Sequence, residues 1–211
     1  MKRSWTWTLV SAVGLLFGCG GPPEDVSAED PVGESEELIS QTIIRQLPGG
    51  ELTQETTYIT RAEQLAQIEA REEYVRRLKS GEPQQFMANL VIDSGCAGSS
   101  LWLFDQPNRQ GRQLCLYKNP AEAYAFIDLG KVVRYITPTY PYPMFVFWTA
   151  SVRSLWSGED AGNMATCDTV IMACYSNAPW VPFGAWQQLN DISTAQIPGS
   201  PRGPNTVFLE N

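Results

Sequence analysis

Residues 101–117 read LWLFDQPNRQGRQLCLY, two apolar runs on either side of a polar segment. Each run, Leu101–Phe104 and Leu114–Tyr117, is four residues long. The segment between them contains Pro, Asn and Gly, the residues that favour a change of chain direction. Short apolar runs bounded by turn residues are typical of strands. The stretch therefore predicts two strands joined by a turn.

The same pattern continues through the rest of the chain from Phe86 onward. Five of the seven Trp lie beyond this point. Short apolar runs such as KVVRYI, MFVFW and TVIMACY follow one another there, with Gly, Pro and Asn between them. Many short strands at close spacing indicate a sandwich or barrel. Residues 86–211 are thus predicted to form one β-domain, which is long enough to bury a core.

One motif in this domain resembles the βγ-crystallin Greek key. Phe104 is followed by Gly111 seven positions later, as in the crystallin hairpin, although Arg109 stands where that family has an aromatic residue. The resemblance implies a mainly β, Greek-key sandwich similar to short secreted bacterial proteins, metalloproteinase inhibitors among them. It also implies that Ser151, in WTASVRSLWSG, ties the hairpin with its hydroxyl group.

The resemblance raises the question of calcium, because some crystallin-like motifs bind it through Asn, Asp and hydroxyl oxygens. In the first motif the corresponding positions hold Val146 and Phe147, which cannot ligate through their side chains. A looser second motif retains Asn190, Asp191 and Thr194. The alternatives are one weak calcium site at these residues or a turn that caps a strand. We favour the turn and expect no cofactor.

The amino-terminal residues predict export and lipidation. Residues 1–18 have a basic start and an apolar run too short to span a bilayer, which is typical of a secretory signal. The run ends in LFGC and resembles a bacterial lipobox, which implies cleavage before Cys19 and a lipid on its thiol. Gly20 follows instead of Asp, which favours the outer membrane or the cell surface. The alternative is an ordinary signal peptide.

Residues 19–59 are predicted to form a flexible acidic tether. Of the 23 acidic residues, 14 lie at or before Glu82, and Pro48-Gly49-Gly50 interrupts the segment. High charge and low hydrophobicity argue against a packed core. The formal net charge of −8 also argues against nucleic acid as a partner.

A helix is predicted over residues 60–80. Thr60 and Glu63 have the spacing of a capping box, and Gly81 is placed to end the helix. An apolar stripe contains Leu65, Ile68, Val75 and Leu78. The stripe packs against the domain or pairs with a second helix, and we favour the first alternative.

Cysteine and histidine usage limits the chemistry. The chain has no His, which excludes Ser-His-Asp and Cys-His catalysis. Besides Cys19 there are four Cys, which allow three pairings in an exported protein. Proximity in the sequence favours Cys96 with Cys115 and Cys167 with Cys174. Asp93 lies in an Asp-Ser-Gly turn like that of pepsin-type proteases, but the second such turn is missing, so we interpret it as a turn residue.

Three functions follow from these features, and none of them is an enzyme. The first is a surface lipoprotein with a structural or interaction domain, held to the membrane by lipidated Cys19. The second is an inhibitor of secreted proteases acting through TPTYPYP, residues 137–143. The third is a module for carbohydrate or envelope glycan, with flat aromatic faces drawn from Tyr140, Tyr142, Trp148, Trp156, Trp180 and Trp186.

Overall fold

The computed structural model of the chain describes residues 37–81, 96–168, 170, 173–174, 180–192 and 204–210. Within these residues lie one α-helix, α1 (Arg61–Ser80), and fourteen strands. The strands are β1 (Leu38–Gln46), β2 (Leu52–Thr60), β3 (Leu101–Gln106), β4 (Gln110–Tyr117), β5 (Tyr124–Asp128), β6 (Val133–Thr137), β7 (Met144–Phe147), β8 (Ser154–Trp156), β9 (Ala161–Ala165), β10 (Cys167–Asp168), β11 (Ala173–Cys174), β12 (Val181–Phe183), β13 (Gln188–Leu189) and β14 (Thr206–Glu210).

Most of these strands belong to two sheets. The six-stranded sheet has the order β13-β8-β3-β4-β1-β2, and the four-stranded sheet has the order β12-β9-β14-β5. Neighbouring strands run antiparallel, except that β1 runs parallel to β4. Two further antiparallel pairs, β6 with β7 and β10 with β11, form separate ribbons. The prediction of a mainly β fold is confirmed.

Strand β3 lies inside the six-stranded sheet and is buried on both faces. Leu101 and Leu103 contribute to a core that also contains residues of the four-stranded sheet. Trp102 and Phe104 contribute to a second cluster, which contains residues of α1. Side chains alternate between the faces of a strand, so a strand covered on both sides is apolar throughout. This explains why LWLF has no polar residue.

Residues 38–60 form a β-hairpin, which corrects the prediction of a tether extending to residue 59. Strand β1 pairs with both β2 and β4, so the hairpin extends the sheet by two strands. Ile43 and Ile44 are each 4% exposed and belong to different core clusters. The prediction failed because it averaged charge over the whole segment, and because β1 also buries polar residues such as Gln41 and Thr42.

Helix α1 lies where the sequence predicts it, with both end signals in place. The hydroxyl of Thr60 accepts a hydrogen bond from the backbone N–H of Glu63 at 3.1 Å. The carboxylate of Glu63 accepts one from the backbone N–H of Thr60 at 2.7 Å, which completes the capping box. Gly81 ends the helix with φ +75°, a conformation that glycine adopts readily.

The face that α1 buries differs from the predicted apolar stripe. Leu65, expected on that stripe, is 43% exposed. The spacing of three and four residues places the buried side chains on one side of the helix. These side chains are Gln64, Ile68, Arg71 and Val75. Two of the four are polar, so a search for apolar periodicity misses half of this face.

Arg71 is a fully buried arginine in this face. Its guanidinium lies 4.3 Å from the ring centre of Trp102 and 4.6 Å from that of Trp156. Its Nη2 donates to the carbonyl of Ser100 at 2.7 Å and to that of Ser157 at 2.9 Å. Burial lowers the pKa of Arg71 well below its ordinary value. Cation–π contacts and two hydrogen bonds therefore join the helix to β3 and β8.

Three buried glutamines extend this polar layer. The side-chain amides of Gln41 and Gln64 donate to Oε1 of Gln113 at 3.3 and 3.4 Å. Gln64 also donates to the carbonyl of Gly111 at 2.8 Å. Buried amides need such partners, so the network stabilises one packing of β1, α1 and β4.

The start of β4, directly after the β3–β4 turn, favours glycine at residue 111. Gly111 has φ +74°, and a Cβ there would lie 2.1 Å from Oδ1 of Asp105. Both the backbone conformation and the lack of space exclude a side chain. Gly111, seven positions after Phe104, therefore lies where the backbone favours glycine.

Ser154 ties this turn, and the assignment of that role to Ser151 is wrong. The hydroxyl of Ser154 donates to the carbonyl of Gln106 at 2.7 Å and accepts from the backbone N–H of Arg109 at 3.0 Å. The hydroxyl of Ser151 donates instead to the carbonyl of Thr149 at 3.1 Å. The reason is register, because β8 begins at Ser154 and pairs that residue with Phe104.

Both disulfides are present with the pairing that the sequence favours. Cys96 joins Cys115 of β4, and Cys167 of β10 joins Cys174 of β11. The first crosslink closes a loop with a sequence separation of 19 residues. It belongs to the buried cluster beneath α1.

Several predictions concern residues outside the described part of the chain. These are the signal segment 1–18, the lipid attachment site Cys19, Asp93 and Thr194. In the part of the chain that the structure describes, no helix combines the length and the apolar character that a membrane span requires.

Candidate interaction surface

The most unusual surface of the domain is the ribbon formed by β6 and β7, residues 133–147, here called the aromatic hairpin. Its strands pair Ile136 with Phe145 and Thr137 with Met144. Contiguous exposed apolar side chains on this scale mark an interaction site, whereas scattered ones do not. Those at least 40% exposed are Ile136, Tyr140, Tyr142, Met144, Phe145 and Phe147.

The tip of the aromatic hairpin is the proline-rich loop of residues 138–143. Pro138, Pro141 and Pro143 have no backbone N–H to satisfy. The backbone N–H of Thr139 donates to the carbonyl of Thr137 at 2.9 Å. The hydroxyl of Thr139 donates to the carbonyl of Tyr142 at 2.7 Å. The loop thus satisfies part of its hydrogen-bonding capacity internally while it presents tyrosine side chains to solvent.

The two ends of the aromatic hairpin are anchored in the core. Val132 and Trp148, which flank it, are 4% and 0% exposed, and the backbone N–H of Trp148 donates to the carbonyl of Val132 at 2.9 Å. The buried flanks fix where the ribbon leaves the domain. The tip of the ribbon is therefore exposed because the ribbon projects away from a base that is fixed in the core.

A cluster of charges supports the base of the ribbon. The guanidinium of Arg112 lies 4.3 Å from the ring centre of Tyr135, and that of Arg134 lies 4.9 Å from it. The carboxylate of Asp105 bridges the two arginines, at 3.3 Å from Arg112 and 3.6 Å from Arg134. The charges at the base are therefore paired, and they do not extend to the tip.

A groove lies beside this base, between the β1–β2 hairpin and β5. It has a volume of about 400 Å³ and is lined in part by Leu52, Phe126 and Val132. Lys131 and Asp128 also line it and form an ion pair at 3.6 Å. Because its two charged residues pair with each other, the groove offers no unpaired charge to a ligand.

Asp105, Asp128 and Asp160 form ion pairs with different cations. Asp105 pairs with arginines and Asp128 pairs with Lys131. Burial, together with the charge of Asp160, raises the pKa of Glu159. Asp160 forms an ion pair with Lys118 at 3.1 Å, although burial still raises its pKa. Glu159 and Asp160 are both influenced by Lys118, whereas Asp105 and Asp128 pair with other cations.

The candidate calcium residues lie at the end of β13. Asn190 and Asp191 are exposed, and the backbone carbonyl of Asn190 accepts a hydrogen bond from Asn108 at 2.7 Å. Among the described residues, no three His, Cys, Asp or Glu side chains are grouped as a metal site would need. The hydrogen bond between Asn108 and Asn190 joins the end of β13 to the β3–β4 turn.

The proposed sugar-binding aromatics do not form one surface. Trp148 and Trp156 are at most 1% exposed and belong to the core, so they cannot stack on a sugar ring. Trp180 is 47% exposed and stacks against Phe208 with ring centres 6.4 Å apart. Of the named residues, the tyrosines of the hairpin tip are the most exposed. This weakens the carbohydrate hypothesis relative to a contact made by the hairpin.

No protein-family model, no curated protein and no solved structure matches the chain.

Proposed function

We propose that this chain is a non-enzymatic lipoprotein of the bacterial outer membrane or cell surface. In this proposal Cys19 carries the lipid and the β-domain makes contacts through its aromatic hairpin. The observation that carries the proposal is the hairpin itself, which exposes six large apolar side chains from an anchored base. The LFGC sequence at residues 16–19 supports the lipid anchor.

The fold assignment within this proposal is a Greek-key domain of βγ-crystallin type. Two observations support it. Strands β8, β3 and β4 are neighbours in one sheet, while β5, which follows β4 in the chain, lies in the other sheet. Ser154 of β8 also holds the β3–β4 turn, the role that the resemblance assigns to a serine. Arg109 in place of an aromatic residue remains a departure from that family.

The lipid anchor is tested by metabolic labelling with a fatty acid, followed by cell fractionation. We expect label on the wild-type chain in the membrane fraction, and neither label nor membrane retention through the anchor in Cys19→Ser. Label on a Cys19→Ser chain, or an unlabelled wild-type chain, would refute the anchor.

A second candidate function is inhibition of a secreted protease. Two observations favour it, namely the exposure of Tyr140 and Tyr142 and the bond between Thr139 and Tyr142 that orders the loop. Pre-ordering reduces the entropy that a bound loop loses. Secreted metallo- and serine proteases would be assayed with the chain at micromolar concentration. Inhibition that disappears in Tyr140→Ser would support this function, and unchanged proteolysis would end it.

A further inference from the structure

The aromatic hairpin is exposed on both of its faces near the tip. Met144 and Phe145 are neighbours in β7 and so point to opposite sides of the ribbon. They are 54% and 51% exposed. Tyr140 at the tip is fully exposed. A single flat protein surface would cover one side of such a projection, whereas a fluid apolar phase surrounds it on all sides.

This region also lacks charged side chains over a long stretch. Residues 135–152 contain no Asp, Glu, Lys or Arg, in a chain that has 38 of them. From residue 129 to residue 158 there is no acidic side chain at all. A charged group is costly to bring into the apolar part of a bilayer. The tip of the aromatic hairpin carries no side chain that would incur this penalty.

The polar groups of the tip suit the same environment. Three of the six residues from 138 to 143 are prolines and lack a backbone donor. Thr139 uses both its N–H and its hydroxyl within the loop. Backbone groups that enter a bilayer without partners are penalised by several kcal/mol each. Tyr140 and Tyr142 add rings with one polar end, the type of side chain enriched at the membrane–water interface.

We propose that the tip of the aromatic hairpin inserts into the interfacial layer of a phospholipid bilayer. The inference rests on the proposed function, because the anchor at Cys19 would hold the domain beside such a surface. The hairpin then supplies a second contact with the membrane, and this contact sets the orientation of the domain. Its driving force is apolar burial, which acts without any net attraction between charges.

The test uses residues 19–211 with Cys19→Ser, so that no acyl chain contributes. This chain contains the whole compact unit from Glu36 to Asn211. Binding is measured by co-sedimentation with phosphatidylcholine vesicles. We expect binding that stays unchanged when salt is raised from about 0.1 M to about 0.5 M, since screening affects only charge-driven contacts.

The decisive variant is Tyr140→Ser/Tyr142→Ser, compared with the matched control Tyr58→Ser/Tyr124→Ser. All four tyrosines are at least 67% exposed, and the control pair lies in β2 and β5, away from the tip. We expect the partition coefficient to fall about tenfold in the hairpin variant and to stay unchanged in the control. Thermal unfolding of both variants verifies that the fold is retained.

Three outcomes would overturn the proposal. These are an absence of vesicle binding, an equal loss in both variants, and binding only to anionic vesicles that high salt removes. Analytical sedimentation of the chain without lipid tests the alternative that a second copy of the chain covers the aromatic hairpin. A dimer that the hairpin variant alone disrupts, without vesicle binding, would assign the hairpin to that contact instead.

The same data separate this inference from the anchor. Vesicle binding without fatty-acid labelling of the wild-type chain would keep the hairpin contact and refute the lipoprotein. Labelling without vesicle binding of the Cys19→Ser chain would keep the lipoprotein and refute the hairpin contact.

Discussion

Two aromatic regions of this molecule have opposite environments. Beneath α1, Trp102 and Trp156 are each 1% exposed and enclose the guanidinium of Arg71. In the aromatic hairpin, Tyr140 and Phe145 are 100% and 51% exposed. The chain therefore leaves the hairpin aromatics in water even though it has a core that buries others. Aromatic content alone thus does not tell whether a segment belongs to the core or to an exposed surface. The polar groups beside the aromatic residues differ between the two regions.

The difference lies in how polar groups are used. Beneath α1, the buried amide of Gln64 and Nη2 of Arg71 donate to backbone carbonyls, while Nε and Nη1 of Arg71, whose guanidinium contacts the two indole rings, are without a hydrogen-bond partner. At the hairpin tip there are few polar side chains to satisfy, because residues 135–152 carry no charge. A region stabilised by internal partners contributes to the free energy of unfolding. A region without them contributes little, and it is free to take part in binding.

Substitution of Arg71 should cause the largest change in the free energy of unfolding. Arg71→Ala removes the contacts with two indole rings and leaves the carbonyls of Ser100 and Ser157 without a donor. We expect the free energy of unfolding to fall by about 3 kcal/mol, measured by chemical denaturation.

The exposed Arg76 of the same helix provides the control for Arg71. Its side chain is 73% exposed, so Arg76→Ala is expected to change stability by about 0.5 kcal/mol or less. Arg71→Met separates packing from hydrogen bonding because it fills the site without donating. If Arg71→Ala and Arg76→Ala were equally mild, the buried arginine would not be what joins helix and sheet.

Ser154→Ala should have the next largest effect. It tests whether Ser154, and not Ser151, ties the β3–β4 turn. The change leaves the carbonyl of Gln106 and the N–H of Arg109 without their side-chain partner. We expect a loss of about 1–2 kcal/mol in urea denaturation. Ser151→Ala serves as the matched control, with a change of about 0.5 kcal/mol or less. The reverse ranking would restore the role first assigned to Ser151.

Much of the fold could be predicted because local signals specify it. The capping box of Thr60 with Glu63, the terminating Gly81 and the turn at Gly111 depend on neighbours in the sequence. The disulfide pairing also followed from proximity along the chain. Mainly β structure followed from the spacing of apolar runs.

The failures share one cause, which is dependence on distant partners. Strand β1 is stabilised by a parallel pairing with β4, whose residues lie about 70 positions away in the register that joins Thr42 with Leu114. Arg71 is buried because two tryptophans of other strands cover it. The aromatic hairpin contains the loop of residues 137–143, which the sequence predicts as a candidate inhibitory element. Its exposure depends on the burial of Val132 and Trp148 at its flanks, which contacts within the core determine.

A smaller effect is expected on the pH dependence of stability, and it comes from Glu159. Burial and the charge of Asp160 raise the pKa of Glu159, while Lys118 acts in the opposite direction. A carboxyl group with a raised folded-state pKa opposes folding when it is ionised. That opposition is fully present above the folded pKa and vanishes below the unfolded value, near 4.5.

Glu159→Gln should therefore be more stable than the wild type at pH 7. The advantage should shrink to nothing as the pH falls below about 4.5, because both states of the wild type are then protonated. Thermal unfolding at a series of pH values measures this difference. An advantage that is constant across the series would point to packing and not to ionisation.

The smallest expected effect on stability belongs to the hairpin tip. Tyr140 is fully exposed and its removal takes no buried area from the core, so Tyr140→Ser should change the free energy of unfolding by about 0.5 kcal/mol or less. The same substitution should weaken vesicle binding, and that binding should not vary between pH 4 and pH 8, because residues 135–152 contain no Asp, Glu or His. A destabilised Tyr140→Ser chain would place the tip within the packed part of the domain. It would then remove the distinction between the two aromatic regions.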